Sequence, residues 1–364
     1  MTVSQDINNF VRPTIKSLVG FEYNKSPDLL RERIPAEEVL KLNANENPYG
    51  CTPGVYRMLA ECKTFHIYPD ATEVEIRKLL AEYAGTIPER IVVTGGAEKL
   101  LDLITRLFVD AGDEVITCSP TLELYRLCSQ VMGGIVIDVP RLENHDVNID
   151  AVLKATNKKT RLIFLCNPNN PTGNIIPEES IIEVLKTGVP VVVDEAYYEF
   201  SNLTMLPWID KYPNMIIVRT CSKWAAMAGF RLGYGIMDPK LTTYMYTIKP
   251  AFGVSVPARI ALKASLEDIE QLRKTWKMII NERERVYREL DKMDSVKPYP
   301  SRGNFLFFDI LKGEASQINL AMEERGILIR NYSTPSIRRG IRLTIGKPEQ
   351  NDKVLANLKE LLAG

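Results

Sequence analysis

Four segments of this sequence carry side chains that could do chemistry together. TGGAEKL at 94–100 places Gly95 and Gly96 between an apolar run and a helical pattern that starts near Ala97. Backbone N–H groups exposed at a helix N-terminus suit a phosphate, which makes Gly96, Ala97 and Glu98 candidate anion binders. CNPNNPTGN at 166–174 follows a second apolar run, and Pro171 restricts the backbone beside Asn170 so that its amide is presented rigidly. VVVDEAYYEF at 191–200 ends its apolar run on Asp194, with Tyr197 close behind. A carboxylate beside a core is costly without a cationic partner, so Asp194 is expected to have one. RTCSKWAAMAGFRLGYG at 219–235 holds Thr220, Ser222 and Lys223, with Arg231 as a second cation in the same loop.

Taken singly, a Gly-Gly turn, an Asn-Pro loop, a strand-end aspartate and a loop lysine have ordinary structural explanations. Their combination is a phosphate cradle, an amide and phenol pair, a buried carboxylate and a lysine. Those are the requirements of pyridoxal phosphate: lysine forms the Schiff base, a carboxylate pairs with the pyridine nitrogen, and the phosphate anchors the ring. The dinucleotide fingerprint GxGxxG after a strand and the phosphate loop GxxxxGK[ST] are both absent.

The elements that must position these residues can be read from periodicity. IVVT at 91–94, EVITC, IVIDV, RLIFLC, VVVD, MIIVRT and GYGIM are short apolar or β-branched runs, several separated by helical patterns such as AEKLLDLITRLFV. Such alternation predicts a mostly parallel sheet covered on both faces, and ligands bind at the carboxyl edge of such sheets. Thr72 and Glu75 have capping-box spacing before a helix whose apolar face would include Val74, Leu79 and Leu80. One long helical stretch is expected after Pro257, followed by a smaller α+β piece with strands VKPY, FLFFDI, ILIR and IRLTI. The reading divides the chain into an N-terminal arm at 1–45, a large α/β domain at 46–256, a connecting helix at 257–292 and a small α+β domain at 293–364.

Composition excludes several alternatives. The 364 residues carry 46 basic and 46 acidic side chains, so no excess positive charge is available for nucleic acid. Zero net charge also favours self-association. Six cysteines without CxxC spacing and only two histidines, His66 and His145, predict neither a structural zinc site nor a disulfide framework. No signal-peptide pattern opens the sequence and no apolar run approaches the roughly 20 residues of a membrane span. The expected location is cytoplasmic, with no membrane partner.

The motifs LNANENPYG, YPD at 68–70, GGAEKL, NPNNPTG, DEAYYEF and SKWAAMAGFRLGY, in this order, resemble fold-type I pyridoxal-phosphate aminotransferases. Within them the chain is most similar to the histidinol-phosphate aminotransferase family. The resemblance implies that Lys223 binds the cofactor covalently and that Asp194 keeps the pyridine nitrogen protonated. It implies that Asn170 and Tyr197 bond the phenolate oxygen, and that Gly96, the Ala97 and Glu98 amides, Thr220, Ser222 and Arg231 bind the phosphate. Tyr68 would reach that phosphate from the partner subunit of a homodimer. Arg342 would bind the carboxylate of the 2-oxoglutarate acceptor or a substrate phosphate, and Arg330 is a second candidate for the phosphate.

Three positions depart from the family pattern. PTLELY puts Leu122 where an aromatic ring usually covers the cofactor, with Tyr125 near enough in sequence to take its place. Phe21, with Tyr23 close by, stands where the arm commonly carries a tyrosine against substrate phosphate, and Phe252 replaces a second tyrosine. The resemblance therefore implies transfer of the amine of histidinol phosphate to 2-oxoglutarate, giving imidazole acetol phosphate and glutamate, as in histidine biosynthesis. Threonine-phosphate decarboxylation, as in cobalamin synthesis, and aromatic amino-acid transamination are the alternatives on the same scaffold. A non-enzymatic cofactor sensor would need a basic DNA-binding domain, for which there is no room before LNANENP.

Overall fold

A computed structural model describes residues 6–18, 20, 24–30, 34–35 and 38–363. The first strand, β1 (Leu40–Lys41), is followed by the strands of a large sheet: β2 (Ile91–Thr94), β3 (Glu114–Thr117), β4 (Ile135–Asp138), β5 (Thr160–Cys166), β6 (Val191–Asp194), β7 (Met215–Thr220) and β8 (Gly233–Ile236). Their spatial order is β2-β8-β7-β6-β5-β3-β4. Neighbours from β7 to β4 pair parallel, whereas β8 is antiparallel to both β2 and β7. Every strand of this sheet except β8 therefore runs the same way.

The apolar runs are continuous because both faces are covered. Val191 and Val193 of β6 enter one core, with Ile163, Leu165 and Ile217, while Val192 enters the other with Phe164, Ile216 and Val218. Alternate side chains of a strand point to opposite faces, so a strand buried on both sides has no polar positions to show. The helices Ala97–Phe108 and Leu124–Val131 supply one cover. Val74–Ala84, Glu178–Leu185 and Val256–Glu267 supply the other. Only β4, at the edge, is half-exposed.

Five further strands complete the chain: β9 (Val296–Tyr299), β10 (Phe305–Ile310), β11 (Ile327–Leu328), β12 (Arg330–Asn331) and β13 (Gly340–Thr344). β12-β13-β10-β9 form an antiparallel sheet, and β11 pairs parallel with β1. A third core lies between this sheet and the helices Ile269–Asp291 and Pro348–Ala363. Ile279, Val286 and Leu290 form the stripe that the first of these buries.

Two expectations are corrected. The long helix after Pro257 is two helices, Val256–Glu267 and Ile269–Asp291. Asp268 leaves the helical conformation between them, and its carboxylate accepts the Gly54 N–H at 3.2 Å. The Thr72–Glu75 capping box does not form. The Thr72 hydroxyl turns to Asp70, and the helix Val74–Ala84 starts from Glu73 in a left-handed conformation (φ 55°). Glu73 is drawn inward, accepting from the Tyr246 hydroxyl at 3.0 Å and pairing with Lys249 at 3.0 Å. The buried face is then Ile76, Leu80 and Ala81, with Val74 exposed.

Candidate active site

Because six of the seven strands are codirectional, the segments after β2, β3, β5, β6 and β7 all emerge at one edge. After β2, Gly95 and Gly96 turn the chain into the helix that begins at Ala97. Gly96 has φ 104°, and a Cβ there would stand 2.8 Å from a guanidinium nitrogen of Arg231. Arg231 is itself left-handed (φ 56°) and pairs with the Glu98 carboxylate at 3.1 Å. Thr220 ends β7 opposite Gly233, which in turn pairs with Thr94. Its hydroxyl caps the short helix Cys221–Trp224 by accepting the Ser222 N–H at 3.1 Å, and it also bonds the Ser222 hydroxyl at 3.0 Å. The fold thus gathers Gly96, Ala97, Glu98, Thr220, Ser222 and Arg231 around one helix N-terminus, where unpaired amides and the helix dipole favour an anion.

Asp194 closes β6, buried beneath this edge. Among the described residues no cationic partner of the kind expected stands beside it. It accepts the Tyr125 hydroxyl at 2.6 Å on Oδ2 and the Ala196 N–H at 3.0 Å on Oδ1. Burial pushes its carboxyl up to about 6, against the pull of these two donors. Tyr125 is therefore committed to Asp194, with its ring stacked on Phe164 at 4.6 Å, and is not available to stand in for the aromatic missing at Leu122. Leu122 lies at the margin of the same core.

Lys223 sits in the turn after β7, where its Nζ donates to the Ala44 carbonyl at 2.8 Å. Burial, then the positive charge of Arg342, lowers its amine to about 8. Arg342, on β13, donates from Nη1 to Asn170 Oδ1 and from Nη2 to the Asn43 carbonyl, both at 2.6 Å. Its Nε, also buried, has no hydrogen-bond partner among the described residues. Tyr197 is buried, and its phenol oxygen accepts from Asn45 Nδ2 at 2.9 Å; burial pushes that phenol up. Lys223, Asn170, Tyr197 and Arg342 are so brought together around residues 43–45. Arg330 lies on β12 directly across from Arg342, with its guanidinium 5.6 Å from the Tyr332 ring centre.

Tyr68 is 78% exposed in the single chain and stacks on Phe252 at 4.5 Å. Phe21 and Tyr23 lie outside the described residues. Sequence reading assigned no role to Asn43, Ala44 or Asn45, which contact Arg342, Lys223 and Tyr197. Asn45 is also tied to Thr344, which accepts its N–H at 2.9 Å. The only signal was the density of asparagine in LNANENP; two of the contacts run through backbone carbonyls, which no residue type reveals.

The donor set can be tested against pyridoxal phosphate. A buried carboxylate with no cation beside it is matched by a protonated pyridine nitrogen. The helix N-terminus with Arg231 matches the phosphate, Asn170 and Tyr197 offer donors for the phenolate oxygen, and a lysine amine lowered to about 8 matches an aldehyde carbon. The residues fit the group.

Comparison with known proteins agrees with that chemistry. Histidinol-phosphate aminotransferase from Dehalococcoides mccartyi is 42% identical over 359 residues, 99% of either chain. The Roseiflexus castenholzii enzyme of the same name is 36% identical over 366 residues, 98% of this chain and 99% of that one. A crystal structure of histidinol-phosphate aminotransferase from Sinorhizobium meliloti in complex with pyridoxal-5'-phosphate superimposes with a TM-score of 0.87 over 97% of both chains, at 28% identity. Residues 37–358 match the family described as aminotransferase class I and II, and the chain belongs to that family.

Proposed function

We propose that this aminotransferase uses pyridoxal phosphate to move the amine of histidinol phosphate to 2-oxoglutarate, yielding imidazole acetol phosphate and glutamate. The observation that carries the reading is the placement of the Lys223 amine beside Arg342, whose guanidinium also holds Asn170. Full-length identity of 42% to a histidinol-phosphate aminotransferase supports this substrate over the alternatives.

Bound pyridoxal phosphate supplies an electron-withdrawing ring that acidifies the α-hydrogen of an attached amine. The chain's residues do the rest. The Ala97 and Glu98 amides, Thr220, Ser222 and Arg231 hold the phosphate. Asp194 keeps a proton on the pyridine nitrogen, and Asn170 and Tyr197 orient the ring through its phenolate oxygen. Lys223, neutral above about pH 8, would be the base that takes up and returns the donor's α-proton. Arg342 takes the acceptor carboxylate or the donor phosphate, and Arg330, on the adjoining strand, is the second phosphate ligand. The working form is a homodimer in which Tyr68 serves the partner's cofactor phosphate. The exposed aromatic and aliphatic side chains of Phe65, Ile67, Tyr68 and Phe252 support a covered face there. The cytoplasm is the proposed compartment, supported by six cysteines that are all free.

A donor panel tests the substrate. Histidinol phosphate is expected to change the visible band of the cofactor-loaded protein and to turn over with 2-oxoglutarate. Carbon dioxide release from threonine phosphate, or turnover of phenylalanine with no response to histidinol phosphate, would replace this reading with one of the alternatives.

A further inference from the structure

Tyr125 has a place in this site that the cofactor contacts alone do not explain. The helix Leu124–Val131 follows β3, and its second residue enters the covered layer under the sheet edge with no exposure at all. The Tyr125 ring lies nearly parallel to Phe164, 6° between planes. Phe164 belongs to β5, whose last residue, Cys166, is the register partner of Asp194. β5 thus borders both the phenol and the carboxylate, and the hydroxyl meets Oδ2 at 2.6 Å. That is the length of a charge-assisted O–H···O⁻ bond. Among the described residues both hydrogen-bond donors to Asp194 are neutral, and the Glu195 carboxylate and the Cys166 thiol, which also act on it, bring no positive charge.

Resting on the reading of this site as a pyridoxal-phosphate pocket, we propose that Tyr125 is a positioning residue. Its hydroxyl keeps Asp194 ionised and aimed at the pyridine nitrogen, and through Asp194 it sets how strongly that nitrogen holds its proton. A hydroxyl donated to a carboxylate favours the charged form, and the ionised carboxylate is what a pyridinium needs opposite it. Two tasks are divided in this segment of the chain. Leu122 is left to cover the ring by contact alone, while Tyr125 acts on its nitrogen side.

The test compares cofactor-loaded wild type with Tyr125→Phe, which removes one oxygen and keeps the stack. A protonated pyridine ring makes the lysine nitrogen bonded to the cofactor less basic. Weakening Asp194 should therefore raise the pH midpoint of the visible band by about one unit and weaken cofactor binding about tenfold. The donor concentration for half-saturation should stay within about twofold, because no substrate contact is lost. Phe164→Leu is the packing control: it should lower the melting temperature and leave the midpoint in place. A wild type that takes up no cofactor sinks the pocket reading itself. A loaded wild type with an unmoved midpoint in Tyr125→Phe overturns the role of Tyr125. So does an equal midpoint shift in Phe164→Leu, which would assign the effect to packing. A Tyr125→Phe chain that fails to fold overturns it too, since the hydroxyl would then be required for stability.

Discussion

Burial lifts the Asp194 carboxyl from 3.8 to about 6, and the sign of its effect on stability follows. Between those values the folded, cofactor-free chain keeps a proton that the unfolded chain has released, so stability is lost as pH rises from about 4 through 6. At pH 7 the bare carboxylate is a cost that a cation bound beside it would offset. Asp194→Asn should therefore stabilise the cofactor-free protein at pH 7, by about 1–3 kcal/mol, and flatten its decline between pH 4 and 6. Urea unfolding at pH 4, 6 and 7 measures this. Glu199, buried and raised to about 7, titrates in the same sense and leaves a residual slope. The same substitution should weaken cofactor binding, so stability and function move in opposite directions.

At the scale of elements, the cradle depends on a strand, a left-handed glycine and a helix meeting without side-chain bulk. Gly96→Ala places a Cβ at φ 104° and 2.8 Å from Arg231. It should cost about 1–3 kcal/mol in backbone strain and weaken cofactor binding tenfold or more as Arg231 is displaced, seen by thermal melting and cofactor titration. This boundary was legible in the sequence, because a glycine pair between a β-branched run and a helical pattern has few other uses. The strands of the large sheet were legible for the same reason: fully buried strands leave continuous apolar runs. The break at Asp268 was not, since the helical period continues on both sides and the bond that fixes it comes from Gly54, far back in the chain. Nor was the partner of Asp194. Sequence chemistry asks for a cation, whereas the fold supplies Tyr125 from a different strand–helix unit.

On the scale of the whole molecule, the apolar face around Tyr68 and Phe252 makes a prediction about assembly. If Tyr68 serves the neighbouring site, Lys223→Ala and Tyr68→Phe place both lesions of a mixed dimer in one site and leave the other intact. Refolding the two variants together at equal amounts should recover about a quarter of wild-type activity, whereas each alone stays low. No recovery would mean that each chain completes its own site. A last consequence concerns the order in which the protein can be made. Asn43 and Asn45 bond Arg342 and Thr344, 299 residues further along. The seven-stranded sheet has all its strands once Ile236 has left the ribosome, yet the site at its edge waits for β13, more than a hundred residues later. Until then a nascent polypeptide carries the lysine, the carboxylate and the cradle without the clasp that joins them, and this enzyme can acquire its chemistry only after Thr344 has been added.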